Sequence, residues 1–70
     1  MKELEIIGKN ISRLRAEQQL TQEDLSGMAE IDRGFISNLE NGRANVSVKT
    51  LVGIAECLNV TFLDLVVEKE

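Results

Sequence analysis

The sequence predicts an all-α fold, a compact bundle of five short helices. Three observations carry that reading. Apolar residues recur at helical spacing along the chain, and β-branched residues nowhere alternate over a useful length. There is no proline to interrupt a helix. Four positions, Thr21, Asp32, Ser47 and Thr61, carry one helix-start signature. Each offers an oxygen to a free first-turn N–H. Each follows an apolar residue (Leu20, Ile31, Val46, Val60) and has another at the fourth helical position (Leu25, Ile36, Leu51, Leu65), the pattern of a hydrophobic staple.

Taken in order, the first helix is predicted over about 3–19, from the stripe Leu4, Ile7, Ile11 and Leu14. The second, about 22–29, opens after Thr21 and carries Leu25, Met28 and Ala29. The third, about 33–41, opens after Asp32, carries Ile36 and Leu39, and stops at Asn41-Gly42, where glycine accepts a left-handed backbone. The fourth, about 48–58, opens after Ser47, carries Leu51, Ile54, Ala55 and Leu58, and stops at Asn59. The fifth, about 62–67, opens after Thr61 with Phe62, Leu65 and Val66. Only two or three residues separate the second helix from the third. A junction this short forces a sharp change of direction and makes residues about 21–41 a helix-turn-helix unit.

Composition sets the bounds. Seventy residues, 43% hydrophobic and 29% charged, are read as one small soluble domain. Such a chain buries only about 60% of its unfolded surface. Its core is then expected to supply about 3–5 kcal/mol, which leaves little room for an enclosed active site and none for a ligand-sensing module. With no histidine and one cysteine, Cys57, neither a Cys/His zinc site, a disulfide framework nor a Cys-His nucleophile can be assembled. No apolar run is long enough to span a bilayer, the start Met-Lys-Glu-Leu-Glu is not a signal peptide, and the expected compartment is the cytoplasm. No phosphate-cradling glycine loop is present, and no cofactor is expected.

Twelve acidic against eight basic residues give a net charge of −4. For nucleic-acid binding the location of the cations matters more than their sum. Acidic residues cluster partly at the ends (Glu3, Glu5, Asp64, Glu68, Glu70), whereas Arg13, Arg15, Arg33 and Arg43 lie in the middle.

The stretch Leu20-Thr21-Gln22-Glu23-Asp24-Leu25, continuing through Ile31-Asp32-Arg33-Gly34-Phe35-Ile36-Ser37-Asn38-Leu39-Glu40-Asn41-Gly42, resembles the phage lambda repressor/Cro-like, or XRE, helix-turn-helix family. Leu51 to Val60 is similar to that family's fourth helix, so the likeness runs from Ile11 onward. Its most specific parts are Thr-Gln-Glu opening the second helix and Leu-Glu-Asn-Gly closing the third. The segment from Ile31 to Ser37 is also similar to the small controller proteins of restriction–modification systems. Two positions depart from the pattern. Glu30 stands where the family often has glycine in the turn, and a positive φ there would strain it. Val46 stands where the family often has proline, although Ser47 can still cap.

The resemblance makes the third helix the reading helix. Arg33, Gly34, Ser37 and Asn38 share one face at helical spacing. Read alone, that face is equally a solvated helix surface; with the resemblance it is the set of base contacts. Arg33 can offer two donors to guanine, Asn38 can pair with adenine or reach a phosphate, Ser37 is a short adaptable partner, and Gly34 permits close approach. The family's residue at the position of Gln22 clamps a backbone phosphate, a role helped by the first-turn N–H groups. Asn41, Arg43 and Lys49 are further candidate phosphate contacts. The resemblance also implies an Arg15–Glu40 ion pair tying the first helix to the third, with Arg15 a further phosphate candidate. Such a pair, if exposed, is worth only ~0–1 kcal/mol. Phe35 falls between core edge and groove, Arg13 is assigned to a solvated face, and Cys57 reads as a small, partly buried hydrophobe.

Phe62, Leu63, Leu65, Val66 and Val67 are more apolar side chains than a short terminal helix is expected to bury. They predict a symmetric homodimer through residues about 60–67, with Phe62, Leu63 and Val66 as its interface; the other reading is that they finish the monomer core. The function so read is a sequence-specific, double-stranded-DNA-binding transcriptional regulator on a pseudo-palindrome, with reading helices about 34 Å apart. Glu23 is a candidate contact for RNA polymerase. An antitoxin-like or adaptor module, with DNA binding secondary, is the competing reading. An enzyme is the weakest, because no carboxylate pair is placed in a concave site.

Overall fold

A computed structural model describes residues 2–69; Met1 and Glu70, the latter counted above among the acidic ends, lie outside the described residues. The chain folds as α1 (Lys2–Glu17), α2 (Gln22–Ala29), α3 (Arg33–Glu40), α4 (Val48–Leu58) and α5 (Phe62–Val66). The described residues contain no strand.

All four sequence-read caps close their helices. Oxygens of Thr21, Asp32, Ser47 and Thr61 accept from the backbone N–H of Asp24, Phe35, Thr50 and Asp64 at 2.9, 3.3, 3.1 and 3.2 Å. At α2 and α5 the bond is reciprocated. The carboxylates of Asp24 and Asp64 accept from the N–H of Thr21 and Thr61, each at 2.8 Å, which completes two capping boxes.

The same signature builds the core. Leu25, Ile36 and Leu65 are fully buried and Leu51 nearly so. Leu20, Ile31, Val46 and Val60, the apolar residues before the caps, pack against this cluster. Ile11, Leu39, Ile54, Ala55 and Leu58 complete it. Met28, read as part of the α2 stripe, is instead 48% exposed. It lies in the last turn of α2, beyond the core-facing Leu25.

α1 ends two residues earlier than expected. Gln19 takes a left-handed backbone (φ 59°), and the N–H of Leu20 returns to the carbonyl of Arg15 at 3.1 Å, so Gln18 and Gln19 form the closing turn. α3 and α5 each stop one residue short of the expected end. Asn59 adopts the expected left-handed cap, and Gly42 (φ 71°) follows α3.

Two features place α1 against the rest. Gly8 lies where α1 crosses the end of α3: a Cβ there would collide with the carbonyl oxygen of Leu39 and approach that of Glu40 to 2.7 Å. Asn10 is buried, and its amide donates to the carbonyls of Leu65 and Val67, both at 2.9 Å. α1 thereby grips α3 on one side and α5 on the other. No helix among the described residues is long and apolar enough to cross a membrane.

Candidate nucleic-acid interface

The junction between α2 and α3 is a tight elbow. Glu30 ends α2 in the left-handed region (φ 57°, ψ 44°). The N–H groups of Glu30 and Ile31 both return to the carbonyl of Ser26, and the Ser26 hydroxyl donates to the carbonyl of Ile31. The strain foreseen for a non-glycine residue at this position is therefore present, on the order of 1 kcal/mol. Ser26, which sequence reasoning passed over, holds the bend through both backbone and side chain.

The elbow fixes which side of α3 faces out. Ile36 and Leu39 are buried, while Arg33, Gly34 and Asn38 are exposed and Ser37 is half-buried. Phe35 is partly buried and packs against the core, so of its two readings the structure supports core coverage. A Cβ at Gly34 would meet the Asp32 carboxylate at 2.8 Å. The missing side chain thus leaves room for the cap of α3.

Behind this face lies a buried polar brace. Arg15 donates through Nε and Nη2 to the two carboxylate oxygens of Glu40, at 2.7 and 3.0 Å. Its Nη1 donates to the carbonyl of Leu20 at 2.6 Å. The two side chains are only 16% and 6% exposed, so the pair is not the surface pair weighed from the sequence. Removing one partner of such a pair costs about 3–5 kcal/mol. Burial pushes the Glu40 carboxyl up, but hydrogen bonds from Arg15, Gln22 and Ser12 and the charge of Arg15 outweigh it and hold it below the usual range. The Glu40 hydrogen bond in turn raises the Arg15 pKa. With three of its N–H bonds spent inside the fold, Arg15 is a brace between helices more than an outward phosphate ligand.

Gln22, the first residue of α2, is half-buried and donates through Nε2 to Glu40 Oε1 at 3.0 Å. Asn41 is exposed and donates through Nδ2 to the carbonyl of Ser37 at 2.9 Å, so its amide also ends α3. Arg43 and Lys49 are exposed, on the loop after α3 and in the first turn of α4. Arg13 departs from its solvated assignment: it is half-buried, with its guanidinium between Asn10 Oδ1 and Glu17, each at 3.3 Å. Asn10 and Gly8 were also missed. The signal for Asn10 was its place on the α1 stripe, three after Ile7 and four before Leu14.

At the C-terminal end the apolar run divides. Leu65 is fully buried in the monomer, as its place on the α5 stripe and in the staple expects. Phe62 and Val66 are partly buried against the core. Leu63 and Val67 are 64% and 57% exposed. Those two line a shallow depression with Leu14 and Val60, edged by Arg13 and Lys69 and by Glu17, Asp64 and Glu68. Cys57 is partly buried against the core, as its hydrophobic reading expects.

Comparison with known proteins returns a helix-turn-helix (HTH_3) family profile over residues 11–65. The chain is 39% identical over 61 residues to an uncharacterised HTH-type transcriptional regulator, y4dJ, of Sinorhizobium fredii, covering 87% of this chain and 79% of that one. It is 36% identical to the control protein C.MunI of a Mycoplasma species, over 90% of this chain and 89% of the relative. Among solved structures, the restriction-modification controller protein C.AhdI from Aeromonas hydrophila superposes with a TM-score of 0.89 at 28% identity, covering 93% of this chain and 98% of that one.

Proposed function

The chain belongs to the HTH_3 helix-turn-helix family of DNA-binding transcriptional regulators, and from that premise we propose that it binds a specific duplex site as a symmetric homodimer. The observation that carries the reading is the outward face of α3. A guanidinium, two short polar side chains and a glycine project from a helix whose opposite side is locked into the core. A major groove admits such a helix. Arg33 supplies paired donors for guanine O6 and N7, and Asn38 and Ser37 meet adjacent base edges. Gly34 lets the helix backbone approach. Gln22 on one flank and Asn41, Arg43 and Lys49 on the other meet backbone phosphates, which set register without reading sequence. A regulator of this kind works where the DNA is, in the cytoplasm.

The depression around Leu63 and Val67 supports the dimer. Its apolar centre is edged by both cations and anions, so a two-fold related copy can set Arg13 and Lys69 against Glu17, Asp64 or Glu68. Two copies place two reading helices on a pseudo-palindrome, which gives the site length that one helix lacks. The C.MunI and C.AhdI likenesses favour a controller-type regulator within this class. Titration with mixed-sequence duplex tests the reading. Binding is expected at about 50 mM salt and falls steeply as salt rises. Absence of binding at low salt would instead support the adaptor or antitoxin-like reading.

A further inference from the structure

We propose that Glu40 is a positioning residue for DNA binding: its buried carboxylate fixes the Gln22 amide in the orientation that offers an N–H to a backbone phosphate. The proposal rests on the phosphate contact read for Gln22 and adds what makes that contact work.

An ionised carboxylate only accepts hydrogen bonds, whereas an amide end presents either nitrogen or oxygen. At Gln22 the choice has been made, because Nε2 faces Glu40 Oε1 at 3.0 Å. Glu40 cannot turn away, since both its oxygens are held by Arg15 at 2.7 and 3.0 Å and its side chain is 6% exposed. One Nε2–H is therefore spent on a fixed acceptor, and the second N–H projects from the same nitrogen. Without the carboxylate the amide is free to rotate and present its oxygen, which a phosphate repels. The brace spans α1, α2 and α3, so the amide at the start of α2 is aligned with the helix that reads the groove. Preorganisation of this kind lowers the ordering cost of binding.

A double-mutant cycle on the full chain tests this. Gln22→Ala, Glu40→Gln and the double variant are titrated with a mixed-sequence duplex of about 20 base pairs at about 50 mM salt, with folding of each verified by circular dichroism. Gln22→Ala is expected to weaken binding about tenfold in the wild-type background and less than about twofold beside Glu40→Gln. A purely structural Glu40 lowers all affinities but leaves the Gln22→Ala ratio unchanged, and that result overturns the proposal. A larger ratio beside Glu40→Gln also overturns it, because it means that Glu40 competes for the amide. No loss from Gln22→Ala in the wild type removes the proposal while leaving DNA binding by the protein intact. No binding by the wild type removes both. If Glu40→Gln fails to fold, the wild-type Gln22 side-chain amide is followed by NMR as duplex is added. One Nε2 proton is expected to shift while the other keeps its protection; loss of protection from both overturns the idea.

Discussion

Glu30 holds the bend that sets the outward face of α3, and it does so in a backbone region that suits glycine better. Its φ of 57° costs on the order of 1 kcal/mol relative to a residue without Cβ. Glu30→Gly keeps the two N–H bonds to the Ser26 carbonyl and relieves that strain. Part of the gain is returned as unfolded-state entropy. Thermal unfolding is expected to shift upward by roughly 4–8 °C for each kcal/mol recovered; an unchanged or lower Tm would show that the bend is not strained. Position 30 was legible in the sequence because the helix-turn-helix family it resembles often places glycine there. Gly8 was not, and Asn10 showed only as an inward position on the α1 stripe. What makes them matter is a helix crossing and two carbonyls at the far end of the chain, and neither can be read from local periodicity. The Arg15–Glu40 pair was implied by the family resemblance, but its burial and its extension to Gln22 depend on three helices meeting.

The helix starts were the most legible elements. The oxygen-bearing caps and the two apolar residues around each are local in sequence, and the four starts at Gln22, Arg33, Val48 and Phe62 fall where those residues put them. The stops were less legible, because Gln19 ends α1 without glycine or asparagine to announce it. The capping boxes have a consequence for acid stability. Asp24 and Asp64 lie below the ordinary carboxyl range, first because each accepts the backbone N–H of its own cap residue. Glu40 lies low as well, where Arg15, Gln22 and Ser12 outweigh burial. A depressed carboxyl in the folded state means that the unfolded chain takes up the proton first as pH falls. Their stabilisation is full above the ordinary carboxyl range, near pH 4, and is lost as pH drops through the lower folded values. Denaturant titrations at neutral pH and at about pH 3 should show that loss, and Asp24→Asn should flatten it. An acid profile unaltered by Asp24→Asn would contradict the account of the α2 cap.

At the scale of the whole molecule, the sequence placed the inner and outer sides of α3 but overestimated what α5 leaves uncovered. Phe62 and Val66, assigned to the interface, pack partly against the core, and Leu63 with Val67 became the exposed centre of a patch that α1 shares. That sharing was not legible, because Arg13, Leu14 and Glu17 meet α5 only after the bundle closes. Leu63→Glu puts a charge at the middle of the patch without touching the core. It is expected to weaken self-association by about tenfold or more in sedimentation equilibrium; an unchanged distribution of species would place any dimer contact elsewhere. The central claim is that the outward face of α3 reads a duplex. The most direct measurement is the affinity of the wild type and of Arg33→Ala for a duplex selected by the wild type from a random pool, with a scrambled duplex beside it. The account predicts that Arg33→Ala loses about 1–3 kcal/mol on the selected duplex and much less on the scrambled one. An equal loss on both, or none on either, would contradict it.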